Sequence, residues 1–403
     1  MLLTIGMIVK NEEKYLDRCL AAIKPILENV DSELIIADTG SSDKTVEIAK
    51  KYTDKVFSFK WIDDFAAARN STLERASGEW YMFLDADEIF ESCDAVISFF
   101  NTGEYRNYDS ASVVIRSLYD SGDSSDFNAP RLTKILPDTA FTGIIHESLN
   151  TYGKPVKHLS DIALHYGYLH TQDTKEEKFK RNSELLLKKY ALQDDSDPII
   201  YLQLYECFYL NDRKKAEEFL EKGIDVCVMR ESPVLIALYC HKAHISYFDG
   251  DYEKTLAVCR DYFKMGKNIR PGLQTTDCEM HGYRASSLFH TGHYEEAVSA
   301  YTSFFSLYGS VSEGRLKTDD ADLLVYYLSS ENNLSVAVYE FLKACQMTQD
   351  HSSAAETLLN VTLDSKKYPA EHIKAISDIL NSMIMICDDE YEKKMLVKKV
   401  KEF

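Results

Sequence analysis

The sequence predicts an α/β domain built on a parallel sheet, followed by an all-α domain of helix-pair repeats. Three observations carry that reading. As far as Leu84, short apolar runs of strand length alternate with stretches of helical period, the pattern of βαβ units with right-handed crossovers. From Lys175 onward the period becomes 3.6 and stays there. Similar helix openings then recur, Asp212-Arg213-Lys214-Lys215-Ala216, Asp251-Tyr252-Glu253-Lys254-Thr255 and His293-Tyr294-Glu295-Glu296-Ala297, at spacings of 39 and 42 residues. The domain boundary is expected at residues 172/173.

At 403 residues, 45% of them apolar, the chain can fill a core in each domain. Its formal net charge of −19 argues against nucleic acid and anionic lipid as partners. The nine cysteines form no C-x-x-C pair, and no apolar run reaches membrane-spanning length. A soluble, cytoplasmic protein with reduced thiols is the expectation.

Taken in order, Leu3 to Val9 is a first strand, and Asn11 is expected to cap a helix striped by Tyr15, Leu16, Cys19, Leu20, Ile23 and Leu27. Glu33 to Ala37 is a second strand ending at Asp38, with Gly40 for the turn and Asp43 or Ser42 capping a helix from Thr45 to Tyr52. Val56 to Phe59 is a third strand, and Asp64 caps a helix carrying Arg69 and Asn70. Trp80 to Leu84, an unbroken apolar run, reads as a strand buried on both faces. It stops at Asp85-Ala86-Asp87-Glu88. Ligands of open α/β sheets gather beyond the carboxyl ends of such strands, and Asp85 and Asp87 point the same way on an extended chain. A lone D-x-D is more often a solvated strand end, so its weight comes from the motifs upstream. No G-x-G-x-x-G follows the first strand and no Walker lysine motif is present. Further strands are expected at Ala111 to Ile115 and Lys134 to Leu136.

The combination of Val9-Lys10-Asn11-Glu12-Glu13, Asp38-Thr39-Gly40-Ser41, Phe65-Ala66-Ala67-Ala68-Arg69-Asn70 and Phe83-Leu84-Asp85-Ala86-Asp87-Glu88 resembles the family 2 glycosyltransferases with the GT-A fold. The resemblance implies inverting transfer from a nucleotide-sugar, with UDP as the expected nucleotide. It implies a donor site drawn from Val9, Asn11, Glu12, Asp38, Arg69, Asn70, Asp85 and Ala86, in which Asp38 meets the base. It also implies Mn²⁺ or Mg²⁺ on the D-x-D motif. A subset of the family with helical repeats has a segment similar to Phe141-Thr142-Gly143-Ile144-Ile145-His146-Glu147, preceded by an arginine like Arg131. On that basis Asp87 and His146, assisted by Asp85, hold the metal, and Glu147 with Asp87 carries the catalysis, Glu147 as base. In the same subset a His-x-Gly-Tyr segment precedes Lys and Arg-Asn, matched here by His165 to Tyr168, Lys178 and Arg181-Asn182. His165, Lys178 and Arg181 then reach the diphosphate or order a lid, or alternatively dock the first helix on the sheet.

The second domain is expected to be tetratricopeptide-like, with Asp197-Pro198 and Ser232-Pro233 as helix starts and Ile224, Phe263 and Phe305 as matching core positions. The layout looks like peptide S-glycosyltransferases of glycocin bacteriocins, so a peptide or protein acceptor held by the repeats is expected, on Cys or Ser. Lipopolysaccharide-core or capsular saccharide is the alternative acceptor, and a non-catalytic repeat scaffold the alternative of another class. A homodimer is left open.

Overall fold

The computed structural model describes residues 1–119, 122, 124–150, 156–167, 172–193, 197–266, 268–270, 275–312, 331–359 and 368–401. Tyr168, in the expected His-x-Gly-Tyr segment, lies outside them. The chain divides into two compact units, Met1–Asp194 and Asp195–Phe403. The boundary expected at 172/173 therefore falls inside the first unit, because the helix that follows it contributes side chains to that unit's cleft.

The first unit is an eight-stranded mixed sheet in the order β3-β2-β1-β4-β7-β6-β10-β5. Its strands are β1 (Leu3–Val9), β2 (Ser32–Asp38), β3 (Val56–Ser58), β4 (Trp80–Leu84), β5 (Glu88–Phe90), β6 (Ser110–Leu118), β7 (Ser124–Lys134) and β10 (Val156–His165), and β8 (Phe141–Thr142) pairs with β9 (Ser148–Leu149) in a separate ribbon. β1 runs parallel to both β2 and β4. The chain thus leaves β1 to one side for β2 and later returns on the other for β4, which opens a crevice at the carboxyl end of β1. The unbroken parallel run from β3 to β4 stops there, since β7 is antiparallel to β4, and parallel pairing returns between β6 and β10.

Helices α1 (Leu16–Asn29), α2 (Thr45–Ala49), α3 (Phe65–Leu73), α4 (Asp94–Asn101) and α5 (Gln172–Gln193) belong to this unit. α1 buries Leu16, Cys19, Leu20 and Ile23, as its stripe predicts, with Ile26 completing the face and Leu27 only half-buried. Leu3, Ile5 and Met7 of β1 meet that face, and Trp80 of β4 packs edge-on against Phe99 and Phe100 of α4. Ala66, Leu73, Tyr81 and Phe141 form a smaller cluster. Asp64 caps α3 as expected, accepting from the Ala67 amide at 2.8 Å.

Two local expectations change. Asn11 does not cap α1, which starts at Leu16. Its backbone is left-handed (φ 55°) and its Oδ1 accepts from the Ser42 amide at 2.8 Å. Its neighbours clasp the same loop, with the Glu12 amide donating to Thr45 Oγ1 (2.7 Å) and the Glu13 amide to Asp43 Oδ2 (3.1 Å). The β1–α1 and β2–α2 loops are thereby zipped together, a use of polar side chains that competes with capping. The strand expected over Lys134 to Leu136 is instead the end of β7, which finishes at Lys134 because Leu136 turns back to Thr139.

The second unit has ten helices among its described residues: α6 (Ile199–Tyr209), α7 (Arg213–Arg230), α8 (Leu235–Phe248), α9 (Tyr252–Phe263), α10 (Thr275–His290), α11 (Tyr294–Ser312), α12 (Glu331–Thr348), α13 (His351–Leu359), α14 (Ala370–Ile386) and α15 (Glu390–Val400). The repeated openings are real N-termini, with Asp212 and Asp251 accepting from the amides of Lys215 and Lys254, each at 3.1 Å. Ile224 and Phe305 are buried, whereas Phe263 is only half-buried and its neighbour Tyr262 takes the core position.

Candidate active site

A cleft of about 700 Å³ opens where the carboxyl ends of β1 and β4 meet α3, the His146 loop and α5. β1 supplies Val9 and then Asn11 and Glu12. Ala86 and the two flanking aspartates follow β4, while Arg69 comes from α3, His165 from the end of β10, and Lys178 and Arg181 from α5. Every one of these residues lies in the first unit.

The centre of the site is a buried guanidinium. Arg69 donates through Nε to Glu147 Oε1 (2.5 Å) and through Nη2 to Asp85 Oδ1 (2.7 Å). Its Nη1 is buried and has no hydrogen-bond partner. Behind this group, Arg131 and Glu88 form a second buried pair, the Arg131 Nε to Glu88 Oε2 distance being 3.2 Å. Burial works against ionisation of Asp85, but the guanidiniums of Arg69 and Arg131 outweigh it and hold the carboxyl far below the usual range. At Glu12 the opposing cation, Lys178, is too weak to prevail. Burial, followed by the charges of Asp87 and Asp85, pushes its carboxyl up to about 8. The same rim contains cationic groups crowded enough to oppose one another: burial and nearby Arg181 depress the Lys178 ammonium.

Asp87 faces His165, with Oδ2 and Nε2 3.6 Å apart. Burial disfavours the imidazolium, yet the hydrogen bond and charge of Asp87 prevail and raise the ring's pKa. The pair is backed by Gly167, where a Cβ would lie 2.4 Å from His165 Nε2 and 2.6 Å from Asp87 Oδ2. No larger residue fits there without moving the pair.

The sequence-derived set is therefore divided. Val9, Asn11, Glu12, Arg69, Asp85, Ala86, Asp87, His146, Glu147, His165, Lys178 and Arg181 all line the cleft. Asp38 and Asn70 do not. The Asp38 carboxylate accepts from the amides of Gly40 (3.2 Å) and Ser41 (3.1 Å), shaping the turn after β2, and Thr39 reaches the cleft instead. Asn70 exchanges two bonds with the backbone of Phe141, at 2.9 and 2.8 Å, and so fixes the loop that carries His146 and Glu147. Trp61, Phe65 and Ile145 line the site without having been singled out. Trp61 sits in an aperiodic loop, and the one available signal was an indole placed just before a capped helix, where core packing does not call for it.

The donor atoms expected to hold the metal stand apart in this structure. Asp87, His146 and Asp85 share the cleft, but their donor atoms do not gather within 4.8 Å of one another. Asp85 is turned to Arg69 and Arg131, and His146 is exposed in a left-handed conformation, φ 50°. Asp87 and His165 do fit a divalent cation. Adjacent donors of a six-coordinate ion with bonds of 2.0–2.1 Å stand about 3 Å apart. A small approach of the two would accommodate it.

Residues 4–127 match the model of the glycosyl transferase family 2. That stretch is a family 2 glycosyltransferase domain. It supplies most of the mixed sheet and the rims of β1 and β4, and the helical unit follows the sheet unit in this chain. Among curated proteins the chain is 37% identical over 146 residues to the TPR repeat-containing protein Synpcc7942_0270 of Synechococcus elongatus, covering 36% of this chain and 34% of that protein. It is 27% identical over 230 residues to the SPbeta prophage-derived glycosyltransferase SunS of Bacillus subtilis, covering 55% and 53%. These alignments span about a third and about half of the relatives' own length. Among solved structures, S. aureus TarS 1-349 overlaps 68% of this chain and 93% of that one at 15% identity, with a TM-score of 0.38. No helix among the described residues is long and apolar enough to cross a membrane.

Proposed function

We propose that this protein is an inverting glycosyltransferase that moves a sugar from a UDP-sugar to a peptide or protein acceptor, dependent on Mn²⁺ or Mg²⁺. The observation that carries the reading is the Asp87–His165 pair at 3.6 Å in a cleft of a family 2 domain, ringed by Glu12, Arg69, Lys178 and Arg181. Asp87 and His165 hold the cation; mixed carboxylate and imidazole donors suit Mn²⁺. When bound, the cation supplies charge neutralisation to the departing nucleoside diphosphate. Lys178 and Arg181 attract the same diphosphate from α5, and their partial burial strengthens that attraction. Arg69 does not touch the donor in this reading: it positions Asp85 and Glu147, and Glu147 takes the acceptor's proton on the face opposite the leaving group. A cysteine acceptor would ask less of that base than a serine.

The helical unit is assigned the acceptor, and all nine cysteines being free accords with a reducing, cytoplasmic setting. A sugar-nucleotide panel with Mn²⁺, read by mass shift on cysteine- and serine-containing peptides, tests the proposal. Transfer from one UDP-sugar, lost in chelator, is expected. Binding of peptide with no turnover of any sugar nucleotide would leave the scaffold reading in its place. A protein cut after Gln193 should keep metal-dependent donor hydrolysis and lose transfer; equal transfer would remove the helices from acceptor binding.

A further inference from the structure

The helical unit carries a second set of metal donors, far in sequence from the cleft and unused by the chemistry above. A ring nitrogen of His351, the thiol of Cys387 and a carboxylate oxygen of Glu392 lie within 4.8 Å of one another, the one such group of three among the described residues. They come from three separate segments. His351 is the first residue of α13, Cys387 follows the last turn of α14, and Glu392 is in the first turn of α15. Cys387 is buried and its Sγ stands 3.8 Å from Glu392 Oε2 and 3.5 Å from the Asp389 carbonyl oxygen. His351 Nε2 is shut off from water and has no hydrogen-bond partner. An imidazole nitrogen in that state calls for an explanation, since buried polar atoms are almost always paired.

We infer that His351, Cys387 and Glu392 form a zinc site that clips together the last three helices of the repeat stack. Bonds of about 2.3 Å to sulfur and 2.0–2.2 Å to nitrogen and oxygen put tetrahedral neighbours roughly 3.3–3.7 Å apart, close to the 3.8 Å already present between Sγ and Oε2. A thiolate with an imidazole and one carboxylate selects zinc over magnesium or calcium, which want all-oxygen shells. Binding releases the Cys387 proton to solvent, and a water completes the fourth position. The location gives the ion its effect: joining the start of α13, the end of α14 and the start of α15, it ties three helices together at one point.

The test uses the full chain, stripped with chelator and titrated with Zn²⁺ and then Co²⁺. Cysteine is absent from the residues lining the cleft, so a sulfur-to-cobalt charge-transfer band reports this site and not the catalytic one. The wild type should show that band, take up zinc and gain thermal midpoint on doing so. Cys387→Ser should lose the band and bind zinc at least tenfold more weakly, while Asp87→Ala keeps both. Should Cys387→Ser not fold, His351→Gln and Glu392→Gln decide, each keeping the thiolate band but altering the ligand-field spectrum and weakening zinc. Absence of the band from the wild type, or cobalt spectra unchanged in all the variants, would overturn the inference and leave Cys387 as a thiol donating to Glu392.

Discussion

The two units bury their charged and polar groups in opposite ways. In the sheet unit five charged groups converge: Arg69, Asp85, Glu147, Arg131 and Glu88 form one connected group at a single cleft, with Glu33 and Asp161 buried apart from it. In the helical unit they form separate sets at different points of the stack. Tyr262 donates to Asp277, which also receives Arg270, tying α9 to α10 (2.9 and 2.6 Å). Tyr301 donates to Glu340, which also meets His290, joining α10, α11 and α12. Distributed groups of this kind fix the packing of neighbours. A concentrated group instead holds a field at one place, with Arg69 Nη1 still unpaired and the Glu12 carboxyl displaced to about 8.

Four substitutions sharpen or break that contrast. Asp87→Ala should have the largest effect, lowering transfer by at least a thousandfold, about 4 kcal/mol of barrier, while the thermal midpoint hardly moves. Unchanged turnover, or activity in excess chelator, would detach Asp87 from the chemistry. Arg69→Met should cost about 3 kcal/mol of stability in denaturant unfolding, because it takes the guanidinium from the largely buried Glu147 and leaves Asp85 with Arg131 alone, 3.9 Å away. A cost no larger than that of an ordinary surface change would mean that the group is solvated and the concentration only apparent.

The third effect is on pH dependence. Burial alone would raise the Glu33 carboxyl, but bonds from Lys55, Thr4 and Ser77 lower it from 4.5 to about 2. A group whose pKa is lower in the folded state contributes stability above its unfolded pKa and loses it as the pH falls. The sheet unit should therefore lose on the order of 2–3 kcal/mol as pH drops from about 4.5 to about 2, and Glu33→Gln should flatten that limb in urea titrations. Smallest of the four is Tyr262→Phe, about 1 kcal/mol, since Arg270 still satisfies Asp277 once the phenol is gone. A loss matching that of Arg69→Met would show that the helical unit, too, depends on a few critical groups.

Much of this was legible in the chain itself. Strands β1, β2 and β4 announce themselves as apolar runs, and burial on both faces demands just that composition. Helix openings in the second unit could be read because an Asp cap acts on amides three residues away, well within sequence reach. The assembly of the β1 and β4 rims into one site followed from parallel pairing, which aligns carboxyl ends.

What the chain could not reveal was which polar side chain meets which. His146 and His165 both follow Asp87 by many residues, and local pattern does not distinguish them. Tertiary pairing does: antiparallel registry sets His165 opposite Glu88, and the turn at Gly167 then holds its ring against Asp87. Likewise, Asp38 and Asn70 stand at element ends, and only the fold shows which backbone groups they bond, Asp38 its own turn and Asn70 a loop 71 residues away. Apolar periodicity determined the layers and the order of the elements, since burial is a property of each residue and its near neighbours. Pairing of charges is decided across the sheet, where distance in space has no counterpart in distance along the chain.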